Sequence, residues 1–591
     1  MSSPVKTVLS TATIQETQQV LLRYGHAGLG VVSANGQLVG MVSRKDIDVS
    51  VRHGLGHRPV TGCMSTQLKT ALPETSITDI QSLMATYDMG RIPVLTATGD
   101  LVGIVTRTDL LRQLQIQSQE PAFSHSSAPP LPTAGHLYQQ LSLRVSEIWP
   151  AMMLLATTAE QRGWSLYLVG GGVRDLLLSL SGQPHPLTDI DLVVEGAEDE
   201  GAGVLLAQAI QARYPQVDLQ TYGQFQTAFL IWPAANKDKQ HPEALPHDNR
   251  QPWLLDIATA RTEFYAYPAA NPAVESSMIR QDLYRRDFTI NAMALRLNGK
   301  HPGQLLDFFG GWSDLHQQCV RVLHANSFIE DPTRIFRAIR FATRLGFELE
   351  AHTQQLVHCA LSSGIYDQMN ASDYKTPALQ SRLQAELKYL LEGDWWDVAL
   401  SRVDALGALA CVHRDLSMTP ALWQQMHRMH RWLYKLGEKQ QITQPRWLML
   451  LLLLLAQLES PKSYETAQRL NLDKKSQQHL KTLHQSESAL LDKLSHSPLP
   501  GDTYECLQRY AQSELLLMAA RYPYALGPQV WHYIVHLSRM PPLINGGTLK
   551  RLGFRPGPQF REILTSVHRL TLNGELTSTQ LAEAYVLENY S

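Results

Sequence analysis

The spacing of apolar residues divides this chain of 591 residues into three parts. Over the first hundred or so positions, short apolar runs such as GLGVV and LVGMV flank glycine turns, which is typical of paired strands. From about Tyr167, strand-like runs alternate with segments of helical spacing. Beyond about Arg334, apolar residues recur every three or four positions to the end. The pattern predicts an α/β module, an α/β head and a long all-α region.

The first part contains an internal repeat. GLGVVSANGQLVGMVSRKDI from Gly28 and RIPVLTATGDLVGIVTRTDL from Arg91 align without a gap. Each copy predicts two strands around a glycine turn, followed by a Ser/Thr-x-x-Asp sequence that can cap a helix. Such duplication indicates two copies packed together. The first copy begins close to Met1, so we expect the chain to be shortened relative to relatives that carry a further N-terminal domain.

Two polar stretches interrupt the apolar pattern. The segment QLQIQSQEPAFSHSSAPPLPTAG from about Gln113 lacks periodicity and indicates a linker, and the stretch from Pro233 to Pro252 indicates a surface insertion. We therefore predict an N-terminal pair of repeats over 1–115, a linker over 116–140, a head over 141–300, a neck over 301–400, and a helical body and tail over 401–591.

Charge and composition leave the function open but narrow the location. The 52 Lys and Arg residues nearly balance the 54 Asp and Glu residues, so an RNA partner would need local basic patches. Five scattered cysteines lack metal-binding spacing and indicate a reducing compartment. The apolar stretch from Trp447 to Leu458 is shorter than the roughly 20 residues that span a bilayer, and it predicts a buried helix. We expect a cytoplasmic protein with no membrane partner.

Two aspartates on an apolar strand carry the candidate chemistry. In LTDIDLVVEG, Asp189 and Asp191 alternate, so they share one face of a strand. An isolated Asp-x-Asp is more often solvated surface, but a carboxylate in so apolar a strand is costly unless it binds a cation. Oxygen ligands at this spacing suit Mg²⁺. Two Mg²⁺ ions held here would favour in-line attack of a ribose hydroxyl on the α-phosphate of a nucleoside triphosphate.

The preceding GGGVRD sequence offers a place for the phosphates. Gly171 and Gly172 allow the backbone to approach a ligand closely at the start of a predicted helix. Arg174 can add a charge-assisted contact.

Four motifs, in order, give a specific resemblance to a known family. They are GGGVRD with TDIDLVV, DIATARTEFY from Asp256, DLYRRDFTINAMAL from Asp282, and EDPTRIFRAIRFATRLGFELE from Glu330. Together they resemble class II members of the DNA polymerase β-like superfamily, the bacterial tRNA nucleotidyltransferases and poly(A) polymerases, and INGGTLKRLGFRPGPQFREIL from Ile544 resembles the helical tail of that family. The N-terminal repeat resembles a CBS domain pair. The resemblance implies a multidomain α/β plus all-α protein: a CBS pair, a nucleotidyltransferase head, and a helical neck, body and tail.

The resemblance also assigns residues in the head. Asp256 is a candidate third catalytic carboxylate, with a structural role as the alternative. Arg286, Asp287 and Asn291 are assigned to the sugar and phosphates of the nucleotide. The alternative for two of them is an internal salt bridge between Arg286 and Asp287.

Base selection is assigned to the neck. Asp331 and Arg334 lie three residues apart, hence on one face of a helical turn, and can accept and donate hydrogen bonds to a base edge. In the resembled family this pair serves as a protein template for ATP or CTP. The alternative is an ordinary ion pair on a helix surface. Arg337, Arg340 and Arg344 continue as a basic stripe that either receives phosphates or is balanced by acidic neighbours.

Two further groups of candidates lie outside the head and neck. CBS domains use their Ser/Thr and Asp to bind the ribose of an adenine nucleotide, although the same residues can act only as helix caps. CBS pairs also form homodimers. The CBS candidates are Ser43, Asp46, Thr106 and Asp109, and the candidate RNA contacts in the tail are Lys550, Arg551 and Arg555.

The implied function is transfer of nucleotides from ATP or CTP to the 3′ end of tRNA, with release of pyrophosphate. The stretch ARTEFYAYPAANPAVESSMIRQDLYRRDF resembles tRNA enzymes, including ones that add only the terminal A, which favours A addition. CC addition and full CCA addition stay open. The alternatives are a poly(A) polymerase and, from another class, a CBS nucleotide-sensing regulatory protein with an inactive head.

Overall fold

A computed structural model describes most of the chain. The described residues are 5–23, 28–52, 54–66, 68–86, 90–106, 130–180, 187, 189–196, 201–222, 227–233, 252–264, 273–324, 327–363, 366, 377–438, 444–495 and 499–590. They divide into two compact units, residues 1–323 and 324–591. Most of the predicted surface insertion and most of the predicted linker lie outside the described residues.

The two N-terminal repeats have the same strand register. The first contains β1 (Thr7–Leu9), α1 (Ile14–Arg23), β2 (Gly28–Val32), β3 (Leu38–Ser43) and α2 (Arg44–Arg52), with strand order β1-β2-β3. The second contains α3 (Ile77–Thr86), β4 (Arg91–Leu95) and β5 (Leu101–Thr106). Val8 pairs with Val31 in parallel, and the corresponding residues Ala71 and Val94 form a parallel bridge.

Glycines mark both the likeness and the difference between the repeats. Gly36 and Gly99 have φ values of 79° and 90° in the turns between paired strands, where other residues would be strained. Gly28 and Arg91 occupy the same position in the two copies. A Cβ atom on Gly28 would lie 2.9 Å from Nη1 of Arg91, so the side chain of the second copy fills the space left by the glycine of the first.

The head contains a seven-stranded sheet. Its strands are β6 (Ser165–Val169), β7 (Asp189–Glu195), β8 (Asp218–Tyr222), β9 (Thr227–Trp232), β10 (Trp253–Thr259), β13 (Met293–Arg296) and β14 (Leu305–Asp307). They lie in the order β14-β13-β6-β7-β10-β9-β8; β7 and β10 run parallel, and the other neighbouring strands run antiparallel. The sheet therefore continues past the predicted head boundary at residue 300.

Helices and short strands complete this unit. Helix α4 begins inside the predicted linker of 116–140. The helices are α4 (Ala134–Arg144), α5 (Trp149–Gln161), α6 (Gly171–Ser179), α7 (Ala202–Arg213), α8 (Ile279–Tyr284) and α9 (Gly311–His316), with 3₁₀ turns at Val60–Gly62 and Thr289–Asn291. The remaining strands are β11 (Arg261–Phe264), which pairs with β12 (Ala273–Ser276), and β15 (Cys319–Val320).

The central strands of the head alternate between buried and half-buried positions. On β10, Trp253, Leu255 and Ile257 are buried, while Asp256 between them is half-buried. The alternation follows from the two-residue period of a strand. It places Asp256 on the less enclosed face of the sheet.

The second unit is mainly helical, as the apolar spacing predicts. Its helix α16 (Arg446–Leu455) buries every residue from Leu448 to Leu455, which confirms the predicted buried helix. No helix in the described part of the chain is long and apolar enough to cross a membrane. An α/β region followed by a helical region confirms the predicted fold class.

The bounds of the elements in this unit are as follows. The helices are α10 (Ser327–Glu330), α11 (Thr333–Leu345), α12 (Ala351–Ser362), α13 (Pro377–Glu392), α14 (Trp396–Ala405), α15 (Pro420–Glu438), α16 (Arg446–Leu455), α17 (Ser460–Arg469), α18 (Lys474–Ser495), α19 (Pro500–Leu507), α20 (Gln512–Arg521), α21 (Gly527–Val535), α22 (Gly546–Arg551), α23 (Pro558–Leu572) and α24 (Thr579–Tyr590). The 3₁₀ turns are Ala408–Cys411 and Leu537–Arg539, and the strand is β16 (Glu348–Leu349).

Candidate active site

Carboxylates lie side by side on the two parallel strands of the head. The register of β7 against β10 places Asp256 next to Asp191 and Leu254 next to Asp189. Neighbouring positions in a sheet point to the same face, so Asp191 and Asp256 share it. Asp189 is the first residue of β7, two positions before Asp191, but its side chain lies outside the described part of the structure.

Asp256 has the features of a ligand for a cation. Its Oδ1 atom is buried and has no hydrogen-bond partner among the described residues. Burial, followed by the negative charge of Asp191, raises the pKa of Asp256 to about 6. A divalent cation would satisfy the unpaired oxygen and remove the repulsion between the two carboxylates, so these residues fit Mg²⁺. Among the described side chains, which do not include that of Asp189, no cluster of three metal-binding residues is found.

A glycine turn lies directly against these carboxylates. Gly170 has a φ of 67°, and a Cβ atom there would lie 2.9 Å from Nη1 of Arg286 and 3.1 Å from Oδ2 of Asp191. Any other residue would therefore fill the space between a guanidinium and a carboxylate. Helix α6 begins at the next residue, Gly171, and Gly172 is buried in its first turn. A helix N-terminus beside open backbone is a favourable place for phosphate.

Arg174 organises a buried polar network. Its Nε and Nη2 donate to the two carboxylate oxygens of Asp175 at 2.8 and 2.9 Å, and its Nη1 donates to Oδ1 of Asn291 at 2.7 Å. Asn291 in turn donates from Nδ2 to Oδ1 of Asp287 at 3.1 Å, and this oxygen also accepts from the backbone N–H of Phe288. Arg174 thus holds Asn291 and Asp287 in place, while its contact with a phosphate stays a prediction.

Arg286 is anchored by a different aspartate from the one considered in the sequence. Its Nη2 donates to Oδ2 of Asp282 at 3.1 Å, and Arg285 donates from Nη2 to Oδ1 of the same carboxylate at 2.7 Å. Asp282 is fully buried. The alternative of an Arg286–Asp287 salt bridge is therefore replaced by an Arg286–Asp282 pair.

The two candidate base-reading residues are buried in the second unit. Asp331 is 7% exposed and Arg334 is 6% exposed, so the alternative of a surface ion pair is wrong. Asp331 precedes α11: its Oδ1 accepts from the backbone N–H and the hydroxyl of Thr333, and its Oδ2 lies 3.4 Å from Nη1 of Arg382. Arg334 donates from Nη1 to Oγ of Ser327 at 2.6 Å. These contacts fix both side chains at the start of the helix.

The basic stripe that follows is balanced by an acidic residue. Arg340 pairs with the buried Glu386 at 2.9 Å, and Arg337 approaches the same carboxylate at 3.4 Å. The guanidinium of Arg340 also lies 5.0 Å from the ring centre of Tyr389. These pairs favour the acidic-neighbour interpretation for the two residues, and their binding of phosphates stays a prediction.

The CBS candidates include a helix cap. The Oγ atom of Ser43 donates to Oδ2 of Asp46 at 2.5 Å, and the backbone N–H of Asp46 donates back to Oγ at 3.3 Å. Thr106 is the last residue of β5. Asp109 lies outside the described residues.

The tail candidates are exposed at the surface. Lys550, Arg551 and Arg555 lie at and just after the end of α22, and all three are exposed. Arg551 has one acidic neighbour, Glu583, at 3.7 Å.

Two important residues were missed from the sequence. Gly170 belongs to the same glycine run as Gly171 and Gly172, but only the structure shows that it is the one in contact with Asp191 and Arg286. Asp282 opens the DLYRRD motif, and its spacing of three and four residues from two arginines was the available signal.

Comparison with known proteins identifies the domains. Residues 166–321 match the Poly A polymerase head domain, and residues 1–51 and 60–116 match the CBS domain. This chain carries a poly A polymerase head domain behind a pair of CBS domains. The resemblance predicted from the four motifs and the N-terminal repeat is thereby confirmed.

Relatives extend this likeness beyond the head domain. An A-adding tRNA nucleotidyltransferase of Geobacter sulfurreducens is 32% identical over 97% of this chain, which spans 62% of that protein's length. A solved Thermotoga maritima CCA-adding enzyme complexed with tRNA is 27% identical and superimposes with a TM-score of 0.59, covering 78% of this chain and 99% of the other. A CCA-adding enzyme solved with ATP gives a TM-score of 0.58 at 28% identity, covering 76% and 96%.

The buried carboxyl of Asp256 predicts a pH dependence of stability. Its pKa rises from 3.8 to about 6 on folding, so the folded state binds the proton more tightly than the unfolded chain. The resulting stabilisation is complete below pH 4 and lost as pH rises through 6. In the metal-free protein we expect the free energy of unfolding to fall by at most about 3 kcal/mol over this interval.

Urea unfolding between pH 4 and pH 7 in the presence of EDTA measures this effect. Asp256→Asn should remove the part of the pH dependence of the free energy of unfolding that comes from Asp256, because the amide does not titrate. Equal pH slopes in the wild type and the variant would contradict the prediction. Magnesium added at pH 7 should restore stability in the wild type more than in Asp256→Asn.

Proposed function

We propose that this chain is a tRNA nucleotidyltransferase that transfers nucleotides from ATP or CTP to the 3′ end of tRNA and completes the CCA terminus, with A addition as the main reaction. The observation that carries the proposal is the pair Asp191 and Asp256. The buried Oδ1 of Asp256 has no hydrogen-bond partner among the described residues, and Asp191 lies beside the Gly170 turn at the start of α6. Alignment with an A-adding relative over 97% of the chain supports the choice of A.

The chain's own residues divide the task. Asp189 and Asp191, with Asp256 as a third oxygen donor, would hold two Mg²⁺ ions. When bound, Mg²⁺ supplies Lewis-acid chemistry that activates a hydroxyl and neutralises developing phosphate charge. Arg286 and the N-terminus of α6 would receive the triphosphate beside Gly170, which leaves room for it.

The remaining site residues position the nucleotide. Asn291 and Asp287 would contact the sugar of the nucleotide. Arg174 would keep them in position, because it donates a buried hydrogen bond to Asn291, which in turn donates to Asp287. Asp331 and Arg334 would read the base edge, with Asp331 held by Arg382 and Arg334 by Ser327. Arg337 and Arg340 would contribute positive charge close to the nucleotide. Because Asp331 and Arg334 are each anchored by a neighbour within the second unit, this pair is preorganised for one base geometry.

Other parts of the chain would bind RNA and regulate the enzyme. The exposed Lys550, Arg551 and Arg555 would contact the tRNA backbone, as Lys and Arg do in most nucleic-acid complexes. The CBS pair would bind an adenine nucleotide, with Ser43, Asp46, Thr106 and Asp109 at the ribose, and would form a homodimer. The enzyme would act in the cytoplasm, since the five scattered cysteines indicate a reducing compartment.

Extension assays with defined tRNAs test the proposal. Purified protein is incubated with tRNAs that end before CCA, after CC, or in complete CCA, each with ATP or CTP alone, and the products are sized. A single A added only to the CC end supports A addition. Two C residues on the shortest tRNA would indicate CC addition, and both activities together would indicate CCA addition. Repeated A addition would indicate a poly(A) polymerase, and no extension would favour a regulatory protein.

Removal of the CBS pair should leave catalysis intact. Deleting residues 1–119 removes none of the four head and neck motifs, and domains joined by polar linkers commonly fold alone. We expect kcat/KM for tRNA extension to stay within about threefold of the full chain. A calorimetric titration of the full chain and the shortened chain with AMP, without tRNA, should show a binding event only in the former. Loss of all extension activity in a folded shortened chain would contradict the prediction.

A further inference from the structure

A buried acidic residue outside the proposed metal-binding pair binds two arginines of the head. Asp282 has no exposed surface, and its Oδ1 atom accepts from Nη2 and Nε of Arg285 at 2.7 and 3.0 Å. Its Oδ2 atom accepts from Nη2 of Arg286 at 3.1 Å. Burial alone would raise the pKa of Asp282, but the two guanidinium groups hold it below its ordinary value. Asp282 is therefore a permanent negative charge shared by two arginines.

The helix that carries Asp282, α8, is hydrogen-bonded to the end of β7 and to the segment that follows β10. At the end of β7, Oε1 of Glu195 accepts from the backbone N–H of Ile279, the first residue of α8, at 2.8 Å. Oδ1 of Asp282 also accepts from the backbone N–H of Arg261, which follows β10, at 3.3 Å. Asp282 therefore keeps a constant position relative to the strands that bear Asp191 and Asp256.

Arg286 has a competing partner within reach. Its Nη1 atom and Oδ2 of Asp191 lie on either side of the position that a Cβ atom of Gly170 would take, 2.9 and 3.1 Å from it. Its Nε atom is buried without a hydrogen-bond partner among the described residues. The charge of Arg286 already acts on Asp256. Arginine forms strong two-point pairs with carboxylates. An Arg286 released from Asp282 would therefore turn towards Asp191 or Asp256 and occupy the oxygens that a cation needs.

We propose that Asp282 is a positioning residue that holds Arg286 away from the carboxylates of Asp191 and Asp256 and so keeps them available to a divalent cation. This role rests on the proposed function, because it concerns the same metal and nucleotide site. Asp282 touches neither substrate nor metal. It acts only through the guanidinium that it anchors.

Arg285 provides a matched control for this role. Asp282→Asn and Arg285→Gln each break the same buried cluster, and both should lower stability in urea. Only Asp282→Asn releases Arg286, because in Arg285→Gln the carboxylate still binds it. A purely structural cluster would respond in the same way to both substitutions.

Binding of Mn²⁺ to the full chain, measured by electron paramagnetic resonance without tRNA or nucleotide, tests the proposal. We expect Asp282→Asn to raise the Kd about tenfold or more, as loss of a residue that orients metal ligands does, and Arg285→Gln to change it by less than about threefold. Adding Arg286→Gln to Asp282→Asn should bring the Kd back to within about threefold of the wild type, because the competing cation is gone. The double variant should still bind ATP weakly in calorimetry.

Several results would overturn the role of Asp282. They are an unchanged Mn²⁺ affinity in folded Asp282→Asn, equal losses in the two single variants, no recovery in the double variant, or no Mn²⁺ binding by the wild type. If Asp282→Asn does not fold, Asp282→Ser takes its place, since its short neutral side chain cannot hold Arg286; wild-type affinity there would equally overturn the role. Failure of the wild type to extend tRNA would contradict the proposed function, while the Mn²⁺ Kd values of the wild type and the variants could still be compared.

Discussion

Replacement of Asp191 by alanine should reduce nucleotide transfer by about three orders of magnitude or more, because bound metal contributes several kcal/mol to transition-state stabilisation and each 1.36 kcal/mol is a factor of ten. The same result is expected for Asp189→Ala. Asp191 is the carboxylate that the structure brings next to both Asp256 and Gly170. Its loss would remove one of the proposed metal ligands and leave Arg286 near Asp256 without the second negative charge.

The measurement is single-turnover addition of A to a tRNA ending in CC. Asp218→Ala is the matched control, since Asp218 lies exposed on β8 of the same sheet and should retain activity. Circular dichroism and urea unfolding would show that the Asp191 variant is folded. Turnover near the wild-type rate in preparations free of wild-type protein would overturn the assignment of the metal site.

Substitution of Asp331 or Arg334, the proposed base-reading pair, should change nucleotide choice more than it changes stability. Replacing Arg334 by alanine removes the donors of the pair, and replacing Asp331 by asparagine keeps an acceptor for Thr333 while removing the charge. We expect the preference for ATP over CTP to fall at least about tenfold in each variant, because a site built to hydrogen-bond one base edge rejects the other by leaving groups unpaired. The proposed metal ligands are unchanged in both variants, so residual transfer should persist.

Values of kcat/KM for ATP, CTP, GTP and UTP on a tRNA ending in CC decide this point. Arg402→Ala serves as the control, because Arg402 also makes an ion pair in the second unit, with Glu348 on β16, and should leave nucleotide choice unaltered. If both test variants keep the wild-type preference, the pair is structural.

Local patterns in the sequence were enough for the order of the CBS pair and the head, and for the strand that carries Asp189 and Asp191, whose binding of a metal stays a prediction. Alternation identified Asp189 and Asp191, and the gap-free repeat identified the CBS pair. The contact between Asp256 and Asp191 depends on the register of two strands more than 60 residues apart in the chain, which no local pattern specifies. Similarly, Arg286 pairs with Asp282 and not with Asp287 because of how α8 is held against the end of β7 and against Arg261, the first residue of β11.

Burial was the least predictable property of the site. Arg174, Asp331 and Arg334 are charged residues that a sequence would place at the surface, but each is less than 9% exposed. Asp331 is compensated by Arg382 on α13, whereas Arg174 pairs with the adjacent Asp175 and also donates to the distant Asn291. Where a buried charge needs a partner from another element, its burial follows from tertiary packing and not from local sequence.

The exchange of Gly28 for Arg91 between the two repeats affects how ligand binding to the CBS pair should be counted. A duplicated module with identical copies would offer two equal sites, and a titration would follow a single affinity with a stoichiometry of two per chain. Here one copy contributes an arginine side chain that occupies space next to the glycine of the other. A nucleotide bound by the CBS pair, as proposed, would therefore meet two chemically different surfaces, and its titration would have to be analysed with two unequal affinities.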